Sequence, residues 1–408
     1  MAVVSCCPLR VRTGGPCCSR ALPIFLGGVM KFLFASDSFK GTITSEQSIR
    51  LLTEAAQKIF PGCETNGVPV ADGGEGTVDA VIAVTKGTIK EVPVHGPLFE
   101  DTKATYGLFQ GDSAIIEMAA ASGLPMVPVD KRNPLNTTTY GTGELIKDAL
   151  DAGYRKISIA IGGSATNDGG MGAMTALGIK FLDADGKVLE GKGSDLEKVA
   201  DIDMSGILPA VKEAKFTVMC DVTNPLTGPD GATYTFGKQK GCTPEILDRL
   251  EAGMINYAKV IDKVLGKDAD HIAGAGAAGG LGAALCVFLN AELKSGIETV
   301  LDLIDFDNLL DGVDLCITGE GRIDWQSAFG KVPSGIGMRC KNKGIPAMAL
   351  VGGMGKGADK CYDFGIESII PTINGAMDIA EACDRAEELY ANAAERMFRM
   401  IRIGTMMK

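Results

Sequence analysis

Four segments of this chain combine glycine with a carboxylate and other polar side chains. They are Ser36-Asp37-Ser38-Phe39-Lys40-Gly41, Ala71-Asp72-Gly73-Gly74-Glu75-Gly76-Thr77, Gly162-Gly163-Ser164-Ala165-Thr166-Asn167-Asp168-Gly169-Gly170 and Thr318-Gly319-Glu320-Gly321-Arg322-Ile323-Asp324. Glycine lets backbone N–H groups approach a phosphate, and a helix that follows adds its positive end. A carboxylate beside a phosphate site makes sense when it holds Mg²⁺ or takes a proton. Lys40, Arg322 and Lys331 are the cations suited to neutralise charge on a transferring phosphoryl group. One such loop is common for structural reasons alone. Four together point to a phosphate or nucleotide site.

Each segment follows a short apolar run that reads as a buried strand. Lys31–Ser36 precedes the first, Val68–Ala71 the second, Lys156–Ile161 the third and Val313–Thr318 the fourth. Further strands are expected at Lys215–Cys220, Ala347–Val351 and Ile366–Ile370. Thr44 and Gln47 form a capping box ahead of a helix carrying Ile49, Leu52, Ala56 and Ile59 on one face. Thr243 caps another helix, with Pro244 at its first position. Asp378–Arg402 reads as one long closing helix. Repeated strand–loop–helix units imply an α/β protein with parallel sheets and ligands at the carboxyl ends of the strands. The stretch from 92 to 290 is the least regular. It is expected as a second domain inserted into a first one formed by 30–91 and 291–408.

Composition removes other classes. The 408 residues include 54 glycines, nearly twice the ordinary share of about 7%. There is no G-X-Y period, so collagen is excluded. Net charge is −11 without a block of Lys and Arg, which argues against nucleic acid as a partner. No apolar run reaches about 18 residues, so no membrane partner is expected. Residues 1–29 hold Cys6, Cys7, Cys17 and Cys18, three arginines and no acid. Their one apolar run is short and interrupted by Pro23, and no small-residue cleavage site follows, which speaks against a signal peptide. This stretch is expected to be an extension outside the domains, with Met30 as the true start. Cysteines beyond it lie mostly in apolar runs such as Val218-Met219-Cys220, without C-x-x-C pairs, as in a reducing cytoplasm.

Three familiar patterns lack their context. Gly274-Ala-Gly276-Ala-Ala-Gly279 matches G-x-G-x-x-G but has no proper strand before it, so close packing or a substrate loop is expected there. Asp363-Phe364-Gly365 lacks the other protein-kinase elements. No G-x-x-x-x-G-K-[ST] occurs. The two histidines, His95 and His271, are expected to be structural. Trp325 either packs on a ligand or plugs its own loop.

The segments ASDSFKG, VADGGEGT, GTGELI, IGGSATNDGGMG, CDVTNPLTGP and TGEGRID, in this order over about residues 30–400, resemble the bacterial glycerate kinase family of the glycerate 2-kinase type. The resemblance implies transfer of the ATP γ-phosphoryl group to D-glycerate with Mg²⁺, usually giving 2-phosphoglycerate. It also implies a flavodoxin-like or Rossmann-like domain built from both chain ends plus an inserted α/β domain; a cytoplasmic monomer or homodimer is expected. Where the family pattern has Thr after D-x-Q, this chain has Ser327, which keeps the hydroxyl.

On that basis Asp168 and Asp72 are the expected bases for the acceptor hydroxyl. N-capping is the competing role for Asp168. Asp221, Glu320 and Asp324 are the expected Mg²⁺ holders. Lys40 and Arg322 would meet the substrate carboxylate or the γ-phosphate. Ser38, Gly73, Gly74, Glu75, Gly76, Gly163, Ser164, Thr166, Asn167, Asn224, Gly319, Gly321 and Lys331 would bind ATP, phosphate or substrate. Two clefted domains would close over the reactants and exclude water. Two other functions compete with this one. An NAD-linked hydroxy-acid oxidoreductase would use Gly274–Gly279, and a non-catalytic two-lobed binding protein would need export.

Overall fold

Two sheets organise the chain in a computed structural model that describes residues 28–328 and 330–407. The expected N-terminal extension therefore lies outside the described residues, apart from Gly28 and Val29. The first sheet has five parallel strands. Across it they run Glu64–Pro69, Lys31–Ser36, Leu315–Gly319, Ala347–Val351 and Ile366–Pro371. In chain order this is 2-1-3-4-5, the flavodoxin-like arrangement, with its reversal between the Lys31–Ser36 and Leu315–Gly319 strands. Apart from the exposed Lys31, those two strands are mostly apolar and buried on both faces, as parallel strands covered by helices must be.

On one face Phe32, Phe34, Leu315 and Ile317 pack against the helices Ser45–Ile59 and Ala386–Met406. Phe398 meets Phe32 edge-on at 5.2 Å. On the other face Leu33, Ala35, Cys316 and Val351 meet Ile336 and Cys340 of the helix Val332–Lys343.

Between the second and third strands of this sheet the chain builds the other one. Its order is Glu292–Lys294, Lys215–Met219, Lys156–Ala160, Ser113–Glu117, Asp101–Phe109 and Thr88–His95. The first four are parallel and the last two form an antiparallel edge. The second sheet thus begins at Thr88 and takes in residues up to Lys294. Ile115, Ala160 and Met219 from its centre share one apolar cluster with Val81, Ile297 and Val300, and with Leu33 and Val351 of the first sheet. The helices Thr77–Thr85 and Gly296–Leu303 supply the residues in the middle of that cluster. The two sheets are therefore joined by a continuous core.

Several elements differ from expectation. The second strand of the first sheet is Glu64–Pro69 and not Val68–Ala71, because Lys31 to Ser36 pair with it residue by residue along its polar first half. The closing helix is two helices, Ile379–Asp384 and Ala386–Met406, separated at Arg385. The shorter one buries none of its residues, so the core does not hold it in line with the longer one. Gly274–Gly279 follows irregular chain and not a strand. A Cβ at Gly279 would lie 2.1 Å from the Thr166 carbonyl oxygen, so close packing accounts for that glycine. Among the described residues no helix is long and apolar enough to cross a membrane, and the eight described cysteines are free thiols.

Candidate active site

The first cavity opens at the reversal point of the five-stranded sheet. The Asp37 amide donates to the Gly319 carbonyl at 2.9 Å, which ties the ends of the two central strands together. Only glycine fits at 319, since a Cβ there would lie 2.2 Å from the Leu350 carbonyl oxygen. Beyond this point the loops diverge around a cavity of 550 Å³. Its polar wall includes Asp37, Ser38, Lys40, Asp72, Glu320, Gly321, Arg322 and Lys331. Met354, Ile373 and Ile379 form an apolar, solvent-facing part of the lining. Such a slot at the carboxyl ends of parallel strands suits a flat, partly apolar ligand carrying anionic groups.

A second cavity of 650 Å³ lies among the loops of the six-stranded sheet. Gly73, Gly74, Gly163, Ser164, Asp221, Lys240, Trp325 and Gln326 line it, together with Asp72 and Lys331. Gly73 has a φ of +88°, and a Cβ there would meet Gly296 Cα and Met219 Cβ, each at 3.1 Å. That close approach is what brings the Asp72 loop against the second sheet. Asp72 and Lys331 therefore line both cavities, and they mark where a group held in one meets a group held in the other.

The shared region is acidic, and three carboxyls around it, Asp37, Glu320 and Asp221, hold their protons more tightly than usual. Burial, then the neighbouring Asp72, raises the Asp37 carboxyl to about 6 against the pull of Lys40 and Lys331. Burial raises Glu320 to about 7, with Ser327 and Lys331 opposing. Asp221 is open to the cleft yet closely surrounded by protein. It rises to about 6 although it accepts from the Gly296 amide at 3.0 Å. Glu320 Oε1 is out of water and has no hydrogen-bond partner.

Helix ends are less available than the loops suggest. The capping box at Thr44 and Gln47 closes the helix after the first loop. Glu117 accepts from the Val78 amide at 2.8 Å and closes the helix after the second. Asp168 closes the third through the amides of Gly170 and Gly172, at 3.0 and 3.2 Å. Of the four helices that follow these loops, Val332–Lys343, starting at Lys331, is the one whose first amides no described side chain accepts from. Its amide dipoles reinforce the lysine charge where the cavities meet.

Other expected residues stand apart from this region. Asp168 is fully buried and also accepts from the Thr139 amide and hydroxyl, both at 2.7 Å. It lines neither cavity, and its oxygens are committed to organising its own loop. Thr166 and Asn167 lie within the same buried turn. The Asn224 amide holds the Asp230 carbonyl at 2.7 Å. Asp324 lies 3.8 Å from Arg322 and accepts from the Gln326 amide at 2.9 Å. Glu75 and Gly76 face a separate groove beside Ser45 and Glu117. His95 pairs with Glu144, and His271 with Asp268, as structural histidines do.

Two residues of the walls escape motif reasoning. Asp37 was legible as part of the first loop, but its burial depends on Gly319 and Glu320, which are nearly three hundred residues away. Lys240 sits in an unremarkable polar turn and carried no sequence signal. It is nevertheless 2% exposed, and burial lowers its ammonium to about 8.

A sequence profile described as the glycerate kinase family matches residues 32–402. Glycerate kinase of Bacillus subtilis (strain 168) is 44% identical over 379 residues, covering 93% of this chain and 99% of the relative. Glycerate 2-kinase of Escherichia coli (strain K12) is 43% identical over 376 residues, covering 92% and 99%. A crystal structure from Salmonella typhimurium LT2, assigned as a glycerate kinase 2, aligns with a TM-score of 0.84 at 42% identity. That alignment covers 93% of this chain and all of the other.

Proposed function

This chain belongs to the glycerate kinase family, and on that premise we propose that it transfers the γ-phosphoryl group of ATP to D-glycerate, giving 2-phosphoglycerate. The observation that carries the reading is the pair of cavities meeting at Asp72 and Lys331, with one uncapped helix end beside them. Neither an oxidoreductase nor a non-catalytic binding protein finds support in the relatives. The Gly274–Gly279 turn also lacks the strand a dinucleotide fingerprint needs.

ATP occupies the first cavity in this reading. Ile373, Ile379 and Met354 flank the base, while Ser38, Lys40, Gly321 and Arg322 meet the phosphates. Glycerate occupies the second. Asp72 takes the proton of the attacking hydroxyl as its oxygen bonds to the γ-phosphorus and the bond to the β-phosphate oxygen breaks. Lys331 and the amides that start its helix neutralise the charge spreading over the transferring group.

The donor set fits Mg²⁺. It consists of carboxylate oxygens, and the buried, unpartnered Oε1 of Glu320 calls for a cation or a proton. One or two of Asp37, Asp221 and Glu320 are assigned to hold it. Among the described residues no three such side chains are close enough to form a cage by themselves. That suits an ion bound by one or two carboxylates with phosphate oxygens and waters completing its shell. When bound, Mg²⁺ would neutralise phosphate charge and orient the phosphates. Asp324, engaged with Arg322 and Gln326, is not assigned to it.

The test is a coupled assay with ATP, Mg²⁺ and D-glycerate, with enolase alone downstream and then with phosphoglycerate mutase added. Signal with enolase alone is expected. Signal only after mutase addition would reverse the assigned hydroxyl. No ADP with glycerate would refute the acceptor.

A further inference from the structure

We infer that Lys240 binds the carboxylate of the acceptor. The inference rests on the assignment of glycerate to the second cavity. Cations divide unequally between the cavities. Lys40 and Arg322 line only the first, Lys331 lines both, and Lys240 lines only the second. Lys331 stands where phosphoryl transfer takes place. Among the described residues, Lys240 is thus the cation that lines the acceptor cavity alone.

Its surroundings indicate an incomplete site. The side chain comes from the turn Lys238–Lys240, and Gly241 follows it in the left-handed region with its backbone against the Arg132 carbonyl. The ammonium donates to the Thr166 carbonyl oxygen at 2.6 Å. No described carboxylate lies within 4 Å of it. Asp168 is close enough to act on it electrostatically, yet its oxygens already serve Thr139, Gly170 and Gly172. An ammonium has three donors, and a buried charge without a counter-ion is costly unless a partner arrives. The same wall carries Ser164 and the exposed backbone of Gly163. Lysine, serine hydroxyl and loop amides form a donor set for a carboxylate.

A purely structural lysine would only brace the Thr166 carbonyl, and substrate preference separates the two roles. Wild-type enzyme is assayed with D-glycerate and with glyceramide, its neutral amide, and K240M and K240Q are assayed beside it. Wild type is expected to favour glycerate by at least about 100-fold in kcat/KM, and the variants by less than about 10-fold. The KM for ATP should stay within about threefold. Thermal melts identify which variants are folded, and either folded variant decides the question. Equal use of glycerate and glyceramide by wild type overturns the inference whatever the variants do. So does a preference that survives in a folded variant, or an equal rise in both KM values. If wild type makes no ADP from glycerate, the reaction assignment fails instead. Lys240 is then judged by whether glycerate raises the melting temperature of wild type but not of K240M.

Discussion

Replacing Glu320 by glutamine should stabilise the ligand-free protein at high pH while removing its activity. Glu320 is 6% exposed, and its carboxyl is raised from 4.5 to about 7, chiefly by burial. Because the folded state holds this proton more tightly than the unfolded chain, stability from this group is full below about pH 4.5. It then declines as pH rises and is lost above about pH 7. At 1.36 kcal/mol per pH unit, the ionised form costs the fold about 3 kcal/mol. An unfolding entropy of about 2.1 cal/mol/K per residue converts that to a melting shift of about 4 °C for a chain of this length.

Glutamine cannot ionise, so E320Q should escape the decline. The amide brings its own constant cost or gain, which cancels when two pH values are compared. The assay is thermal unfolding of both proteins at pH 5 and pH 8 in EDTA. The difference, variant minus wild type, should grow by about 3 °C between them, since about 0.8 of the roughly 3 kcal/mol is already lost at pH 5. With saturating Mg²⁺ and ATP the difference at pH 8 should shrink or reverse, because bound ligands stabilise wild type by mass action. A difference that stays the same at both pH values would refute the claim that burial of this carboxyl opposes folding. An unchanged kcat in E320Q would remove it from the metal site.

The remaining predictions concern the shared wall and its supports. Lys331→Met should lower kcat by about 10²–10³-fold with little change in melting temperature, and a loss under tenfold in steady-state assays would place the phosphoryl group elsewhere. Asp72→Asn should cost about 10²–10⁴-fold in kcat in a folded protein. Asp168→Asn should instead destabilise by about 1–3 kcal/mol per unsatisfied group, since an amide nitrogen would face N–H donors. Equal melting temperatures for D72N and D168N would contradict that division. Gly319→Ala should destabilise by about 1–3 kcal/mol or more, because its Cβ would lie 2.2 Å from the Leu350 carbonyl oxygen and the two strands must part. A wild-type denaturation midpoint for G319A would show that the sheet accommodates it.

Much of the fold was legible because its signals are local. The strand Ala347–Val351 lies where its apolar run does, and Thr44 and Gln47 make the capping box their spacing announces. Thr243 caps its helix as expected, with Pro244 in first position. The antiparallel edge of the second sheet was not legible. Its strands Thr88–His95 and Asp101–Phe109 mix polar and apolar residues, and each is defined by the other. The break at Arg385 was hidden for a similar reason, since no glycine or proline marks it.

For the site, the residue types decided the chemistry. Glycine-rich loops with carboxylates and lysines after strands point to phosphate handling wherever the chain takes them. Which members meet was decided by the tertiary structure. Asp37, Asp72, Asp221, Glu320 and Lys331 come from four strand-to-helix connections and two sheets, and their charges act on one another only because the strand ends converge. Asp168 belongs to the same kind of loop, but four backbone and hydroxyl donors occupy it. Lys240 was invisible in sequence because burial, and not residue type, sets it apart from the other lysines. Composition and spacing are properties of the chain alone, whereas exposure to water and the distance between charges exist only once distant segments have packed.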